Sequence, residues 1–163
     1  MAKRPKDMEY ICVQNEQVGA MAAEAYSRTG NANGVTMVTS GPGATNLITG
    51  IVGAWYDCIP AIYITGQVRT WEMTNGDALQ DGFQEVDICS QVSKVTKYAQ
   101  TITNKADLPI ELEKAYFLAN SGRKGPVVID LPMDIQVEEL TKEEINSASK
   151  FNSAEIIFDI KSE

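Results

Sequence analysis

The sequence contains no histidine. This absence excludes histidine-based triads, most zinc sites and the commonest general base. Cysteine is also scarce, because only Cys12, Cys58 and Cys89 occur. An odd number of widely spaced cysteines fits neither a disulfide framework nor a zinc site. We therefore interpret them as reduced residues of a cytoplasmic protein.

Positive charge and long apolar runs are scarce as well. The chain has 14 Lys and Arg against 22 Asp and Glu, and its net charge is −8. Nucleic acid is bound by clustered Lys and Arg, so this balance predicts no nucleic-acid partner. No apolar run approaches the ~20 residues needed to cross a bilayer, and we expect no membrane partner. What remains is enough chain, 163 residues, for one globular domain with a core.

Short apolar runs alternate with helical patterns along the chain. Strands are predicted at residues 10–13, 35–39, 60–65, 95–102 and 126–131, and helices at 16–28, 44–56, 86–91, 108–120 and 137–144. This alternation predicts an α/β fold, a three-layer sandwich with a mostly parallel sheet and helices on both faces. Ligands of such sheets bind beyond the carboxyl ends of the strands. The polar segments 40–46, 66–84 and 131–134 all lie at those ends.

The composition changes after Asp134, where the chain becomes acidic and polar. We therefore divide it into a domain over residues 1–136 and a linker and tail over residues 137–163. The tail regains an apolar pattern at residues 156–160, whose composition is typical of a strand.

Glu16 stands just before an apolar helical stretch, and two interpretations remain open. It is either a first-turn glutamate favoured by the helix dipole, or a carboxyl group among apolar side chains. In the second case its pKa rises and it can share a proton with a ligand nitrogen.

The turn Ser40–Gly41–Pro42–Gly43 also has two interpretations. It lacks both the dinucleotide fingerprint and the Walker pattern. It is either an ordinary capped strand-to-helix turn or, because proline stiffens it, a rigid platform for a ligand. The acidic residues nearby miss the calcium-loop spacing, so no metal site is predicted.

Six motifs occur in a fixed order between about residues 9 and 136. They are N-E-Q-x-x-x-M-A-A-E-A-Y-x-R, T-S-G-P-G-A-T-N, P-A-I-Y-I-T-G-Q-V, G-F-Q-E-V-D-I, V-T-K-Y and G-P-V-V-I-D-L-P-M-D-I-Q. Together they resemble the pyrimidine-binding domain of thiamine-diphosphate enzymes, specifically the acetolactate synthase (acetohydroxyacid synthase) large-subunit group.

The resemblance implies a role for each matching residue. Glu16 would hydrogen-bond N1′ of the cofactor's aminopyrimidine and act, with Gln84, in catalysis. Cofactor-binding residues would be Glu16, Pro42, Asn46 and Gln84, and substrate-channel residues would be Val68, Phe83 and Lys97. The cofactor itself would supply the chemistry of 2-keto acid decarboxylation and carboligation, with pyruvate as a typical substrate.

The resemblance also implies what lies outside this chain. Thiamine diphosphate would be anchored with Mg²⁺ by a diphosphate-binding domain, in a homo-oligomer or on a separate chain, and FAD is possible in the family. The family's first strand and helix precede the segment at Glu9, so the domain is expected to be truncated and inactive alone. The run at residues 156–160 is a candidate for that vacant strand position.

Two residues depart from the family's pattern: Asn15 stands where histidine is usual, and Arg69 where proline is common. We expect a component of branched-chain amino acid biosynthesis. The alternative is a non-catalytic remnant that keeps the fold as a subunit-interaction module.

Overall fold

Four parallel strands form the sheet at the centre of the computed structural model, which describes residues 9–30, 32–148 and 151–152. The strands are β1 (Val35–Val38), β2 (Ile62–Gln67), β3 (Tyr98–Thr101) and β4 (Val127–Pro132), in the spatial order β1-β2-β4-β3. The helices are α1 (Glu16–Thr29), α2 (Pro42–Asn46), α3 (Ile48–Tyr56), α4 (Ile88–Val92), α5 (Leu108–Asn120), α6 (Met133–Val137) and α7 (Lys142–Ser147).

The two central strands carry most of the pairing. β2 and β4 are in register from Ile62 opposite Val127 to Gln67 opposite Pro132. Both strands are rich in β-branched residues, which suit a strand that is covered on both sides. The prediction of a parallel α/β sheet is therefore confirmed.

Helices cover both faces of the sheet. One apolar cluster joins helices α1 to α4 to the sheet and contains Ala20, Ala44, Leu47, Ile51, Ala61, Tyr63, Ile88, Val92 and Val128. The other lies under α5 and α6 and contains Ile102, Ala115, Ala119, Val127, Ile129 and Ile135. Alternate residues of β4 enter opposite clusters, as the two-residue period of a strand requires.

Helix α1 carries a side-chain cap at its first turn. Asn15 Oδ1 accepts a hydrogen bond of 2.9 Å from the Gln17 backbone N–H, and Gly30 follows the last turn. The helix precedes β1 and packs against it through Gly19, whose carbonyl accepts from Thr36 Oγ1. It therefore runs back along the strand, and Glu16 lies at the carboxyl edge of the sheet.

Three predicted elements differ in the structure, and one of them is the helix predicted over 137–144, where residues 138–141 are not helical and separate α6 from α7. Residues 10–13 form no strand, and Ile11 is 91% exposed. A short apolar run becomes a strand only if another strand offers it an edge, and among the described residues only β2 pairs with β1. The helix predicted over 44–56 is divided at Leu47 into α2 and α3.

The predicted linker begins with structure that packs on the domain. Lys105 forms ion pairs with Glu138 and Glu144, and the Phe151 ring lies 5.7 Å from that of Phe117 on α5. The apolar run at residues 156–160 lies outside the described residues. None of the helices in the described part of the chain has the length and apolar character that a bilayer span requires.

Candidate cofactor site

Glu16 faces the turn that follows β1. Its Oε2 accepts a hydrogen bond of 2.9 Å from Asn46 Nδ2, which joins the first residue of α1 to the last residue of α2. Gly43 lies beside this pair: a Cβ on it would collide with Thr39 Cγ2 at 2.7 Å and would be in ordinary contact with Glu16 Oε1 at 3.9 Å. The structure thus brings Glu16 and Asn46, two residues that the family resemblance assigns to the site, within hydrogen-bond distance.

Gly41 joins this turn to a second segment. Its φ of 60° and ψ of −121° lie in a region that suits glycine, and a Cβ there would lie 2.8 Å from both Cβ and O of Gln84. Pro42 follows as the first residue of α2, where a missing N–H costs nothing, and its side chain is exposed. Gln84 therefore packs directly against the glycine-proline turn.

The backbone around Gln84 is held in an unusual conformation. Gln84 has φ of 63°, a value uncommon for a residue with a side chain. Next to it, the Glu85 carboxylate accepts hydrogen bonds from the backbone N–H groups of Thr74, Asp81 and Gly82 at 2.7, 2.9 and 3.2 Å. Burial opposes ionisation of Glu85, but these three donors outweigh it and lower its pKa.

Val68 and Phe83 occupy different environments. Val68 is 7% exposed and lies beneath Gly82, where a Cβ would come within 2.9 Å of it. Phe83 is 87% exposed at the edge of the sheet. Of these two predicted channel residues, only Phe83 presents its side chain to solvent, and Val68 supports the loop that carries it.

Lys97 lies apart from the other predicted site residues. Its backbone N–H donates to Pro126 O just before β4, and its Nζ donates to Ser121 O. These partners mark the amino ends of the parallel strands, opposite the edge that carries Glu16. Burial lowers the pKa of Lys97. The structure does not bring Lys97 to the site.

The pKa of Glu16 shifts in the opposite direction to the one expected. The hydrogen bond from Asn46 lowers it, with a further contribution from backbone hydrogen bonding, and the small effect of burial does not compensate. The carboxyl group lies partly open to solvent and is not enclosed by apolar side chains. The expectation of a raised pKa is therefore wrong for this chain by itself.

Three supporting residues were missed by sequence reasoning: Asn15, Gln67 and Asp130. Asn15 caps α1, and its position one residue before the first helical residue was the available signal. Asp130 is a single carboxyl group inside the apolar strand β4, which is itself an unusual pattern. Gln67 had no signal, because its partners are distant in sequence. The described residues contain no group of three or more metal-ligating side chains.

Comparisons with known proteins identify the family of this chain. The family "Thiamine pyrophosphate enzyme, N-terminal TPP binding domain" matches residues 1–91. The chain is 44% identical over 128 residues to the acetolactate synthase large subunit of Buchnera aphidicola subsp. Acyrthosiphon pisum, covering 78% of this chain and 22% of that protein. It is 42% identical over 142 residues to the acetolactate synthase large subunit of Lactococcus lactis, covering 87% and 24%.

A plant protein gives the same result. The chloroplastic acetolactate synthase of Arabidopsis thaliana is 41% identical over 133 residues, covering 82% of this chain and 19% of that protein. The chain thus spans about a fifth to a quarter of the length of these relatives. The motifs, the parallel fold and the family match lead to one assignment: the chain belongs to the thiamine pyrophosphate enzymes and represents their N-terminal TPP-binding domain.

Proposed function

We propose that this chain forms the pyrimidine side of a thiamine diphosphate site in an acetolactate-synthase-like enzyme. The observation that carries the proposal is the convergence of Glu16, Asn46 and Gln84 on one glycine-proline-glycine turn. The site thus offers one carboxyl group and two side-chain amides beside a rigid turn. Such groups suit a flat ring that bears both hydrogen-bond donors and acceptors.

The residues present fit the pyrimidine end of this cofactor. The missing Cβ atom at Gly41 lets the turn approach Gln84 closely, and the missing Cβ atom at Gly43 lets it pack on Thr39 beside the carboxyl group of Glu16. Glu16 would hold a proton shared with a ring nitrogen, while Asn46 orients the carboxylate. When bound, thiamine diphosphate supplies the nucleophilic carbon for 2-keto acid chemistry.

The other residues take positioning roles in this proposal. Pro42 would offer an apolar surface to the pyrimidine, and Gln84 would lie towards the reacting carbon. Phe83 would face the substrate, a 2-keto acid such as pyruvate, with Val68 supporting it from below. The exposed apolar side chains of this edge, which include Trp71, Leu79 and Phe83, favour burial against a further protein surface.

That surface is proposed to be a diphosphate-binding domain, within a homo-oligomer or on a separate polypeptide. It would hold Mg²⁺ and the diphosphate, for which the described residues provide no cluster of ligands. A requirement for FAD is tested by running the assay with and without it. A reducing cytoplasmic compartment suits the three free cysteines.

The test combines this chain with a candidate diphosphate-domain polypeptide, thiamine diphosphate and Mg²⁺, with and without FAD, and follows pyruvate consumption. The Glu16→Gln variant should lose activity by roughly a hundredfold or more, the range of general acid–base catalysis. Glu113→Gln on the exposed side of α5 is the matched control, and it should retain full activity.

Equal activity of Glu16→Gln and Glu113→Gln would contradict the assigned role of Glu16. Partner binding without any turnover would instead support the alternative, a non-catalytic interaction module. The exposed apolar edge favours either kind of assembly, so activity is the deciding measurement.

A further inference from the structure

Asp130 is a buried carboxyl group in the middle of β4. It is 1% exposed, and it stands in register between Thr65 on β2 and Thr101 on β3. Its side chain points to the face of the sheet that carries α4, since the Thr101 hydroxyl lies within hydrogen-bond distance of both Asp130 and Cys89, and Cys89 is a residue of α4. A buried charge is expensive unless it is hydrogen-bonded, so this position needs an explanation.

Three side chains donate to this carboxyl group. Thr65 Oγ1 donates to Oδ1 at 2.6 Å, while Gln67 Nε2 and Thr101 Oγ1 donate to Oδ2 at 3.0 and 3.1 Å. No lysine or arginine in the described part of the chain forms an ion pair with it. Burial raises the pKa of Asp130 to about 6, although the hydrogen bonds from these three donors lower it. The charge of Asp87 raises it as well.

The amide of Gln67 connects Asp130 to the site. Besides Asp130, Gln67 Nε2 donates to Val86 O at 2.7 Å, and Gln67 Oε1 accepts from Val68 N at 2.9 Å. Val68 and Val86 are the two ends of the segment that carries Phe83 and Gln84. The buried side chain of Gln67, which is 4% exposed, therefore hydrogen-bonds to both ends of this segment.

We infer that Asp130 is a positioning residue that fixes the orientation of the Gln67 amide and thereby holds the segment 68–86 at the cofactor edge. A carboxylate only accepts, so it selects the amide orientation in which Nε2 faces it. Turning the amide over would place Nε2 against the Val68 N–H and Oε1 against Val86 O, and both hydrogen bonds would be lost. The catalytic consequence rests on the proposed function, but the positioning itself does not.

Hydrogen exchange on the full chain without cofactor tests the inference. Asp130→Asn keeps the shape but presents an amide that can itself donate to Gln67. We expect the Val68 amide to exchange about ten- to a hundredfold faster relative to the amide of Ser121, the residue that follows α5 and donates to Phe117 O. This is the range for losing a hydrogen bond to a charged group. Thr101→Val is the matched control, because it removes a donor to Asp130 that does not touch Gln67.

Thr101→Val should accelerate Val68 and Ser121 by the same factor. If Asp130→Asn also accelerates both amides equally, Asp130 stabilises the whole fold without positioning this segment, and the inference is overturned. The experiment does not involve turnover, so its failure is distinguishable from failure of the proposed function.

A measurement on the unmodified chain covers the case in which Asp130→Asn does not fold. The two Gln67 Nε2 protons have separate acceptors, Asp130 Oδ2 and Val86 O. Both should exchange more slowly than the side-chain amide protons of the exposed Gln91. Lack of protection at the proton that faces Asp130 Oδ2 would remove Asp130 from the arrangement.

Discussion

Gly41→Ala is the substitution that most directly probes how the turn and the Gln84 segment meet. Gly41 combines φ of 60° with a close approach to Gln84, so alanine would suffer both backbone strain and overlap. A non-glycine residue in such a conformation costs about 1–3 kcal/mol. The overlap involves the Gln84 backbone oxygen, which cannot move without the chain, and overpacking of this kind costs about 1–3 kcal/mol.

We therefore expect Gly41→Ala to lower the free energy of unfolding by about 3 kcal/mol or more. Two other glycines separate the contributions. Gly122 has φ of 53° with no atom near its Cβ position, so Gly122→Ala should cost only the strain, about 1 kcal/mol. Gly53 lies inside α3 with open space around it, so Gly53→Ala should raise stability by about 0.5–1 kcal/mol.

Urea denaturation followed by circular dichroism measures all three variants on one scale. Backbone amide shifts add a local test, because Gly41→Ala should move the signals of residues 82–85 whereas Gly122→Ala should leave them in place. If Gly41→Ala costs no more than Gly122→Ala, the close approach of the turn to Gln84 is absent, and so is its part in the site.

Two further predictions concern supporting residues. Asn15→Ala removes the α1 cap and should cost about 1 kcal/mol in urea denaturation, whereas Asn15→Asp should cost almost nothing; equal losses would contradict the cap. Asp130 has a raised pKa, so the folded chain binds more protons than the unfolded chain between about pH 4 and 6. Its ionisation therefore lowers stability as pH rises. The free energy of unfolding of the unmodified chain, measured relative to that of Asp130→Asn, should fall by about 3 kcal/mol across that window. An equal pH dependence of the two proteins would show that Asp130 does not titrate there.

The elements that could be predicted are those whose signal is local. The β-branched runs of β2 and β4 and the glycine that follows α1 act within their own segments, and the structure has these elements. Residues 10–13 have the composition of a strand as well, yet they form none. A strand depends on a neighbour that composition does not reveal.

The site shows the same division. Asn46 and Gln84 were placed at one edge because the carboxyl ends of parallel strands meet there, whereas Glu16 was linked to them by the family resemblance. Lys97 was grouped with them by the family resemblance, and the structure of this chain places it at the start of a strand, where its backbone N–H donates to Pro126 O. Gln67 and Asp130 were missed because their roles arise from register between strands, a long-range property.

Glu16 shows how the work of such a site is divided. Asn46 and the backbone stabilise the ionised carboxylate, so in this chain Glu16 is oriented but remains a weak base. Sharing a proton near neutral pH requires a higher pKa, and removal of water is the effect that raises the pKa of a carboxyl group. On the proposed function, the chain supplies the geometry and whatever covers Pro42 and Phe83 supplies the low dielectric. The exposed apolar edge and a burial effect at Glu16 too small to offset the Asn46 hydrogen bond are then two consequences of one uncovered surface.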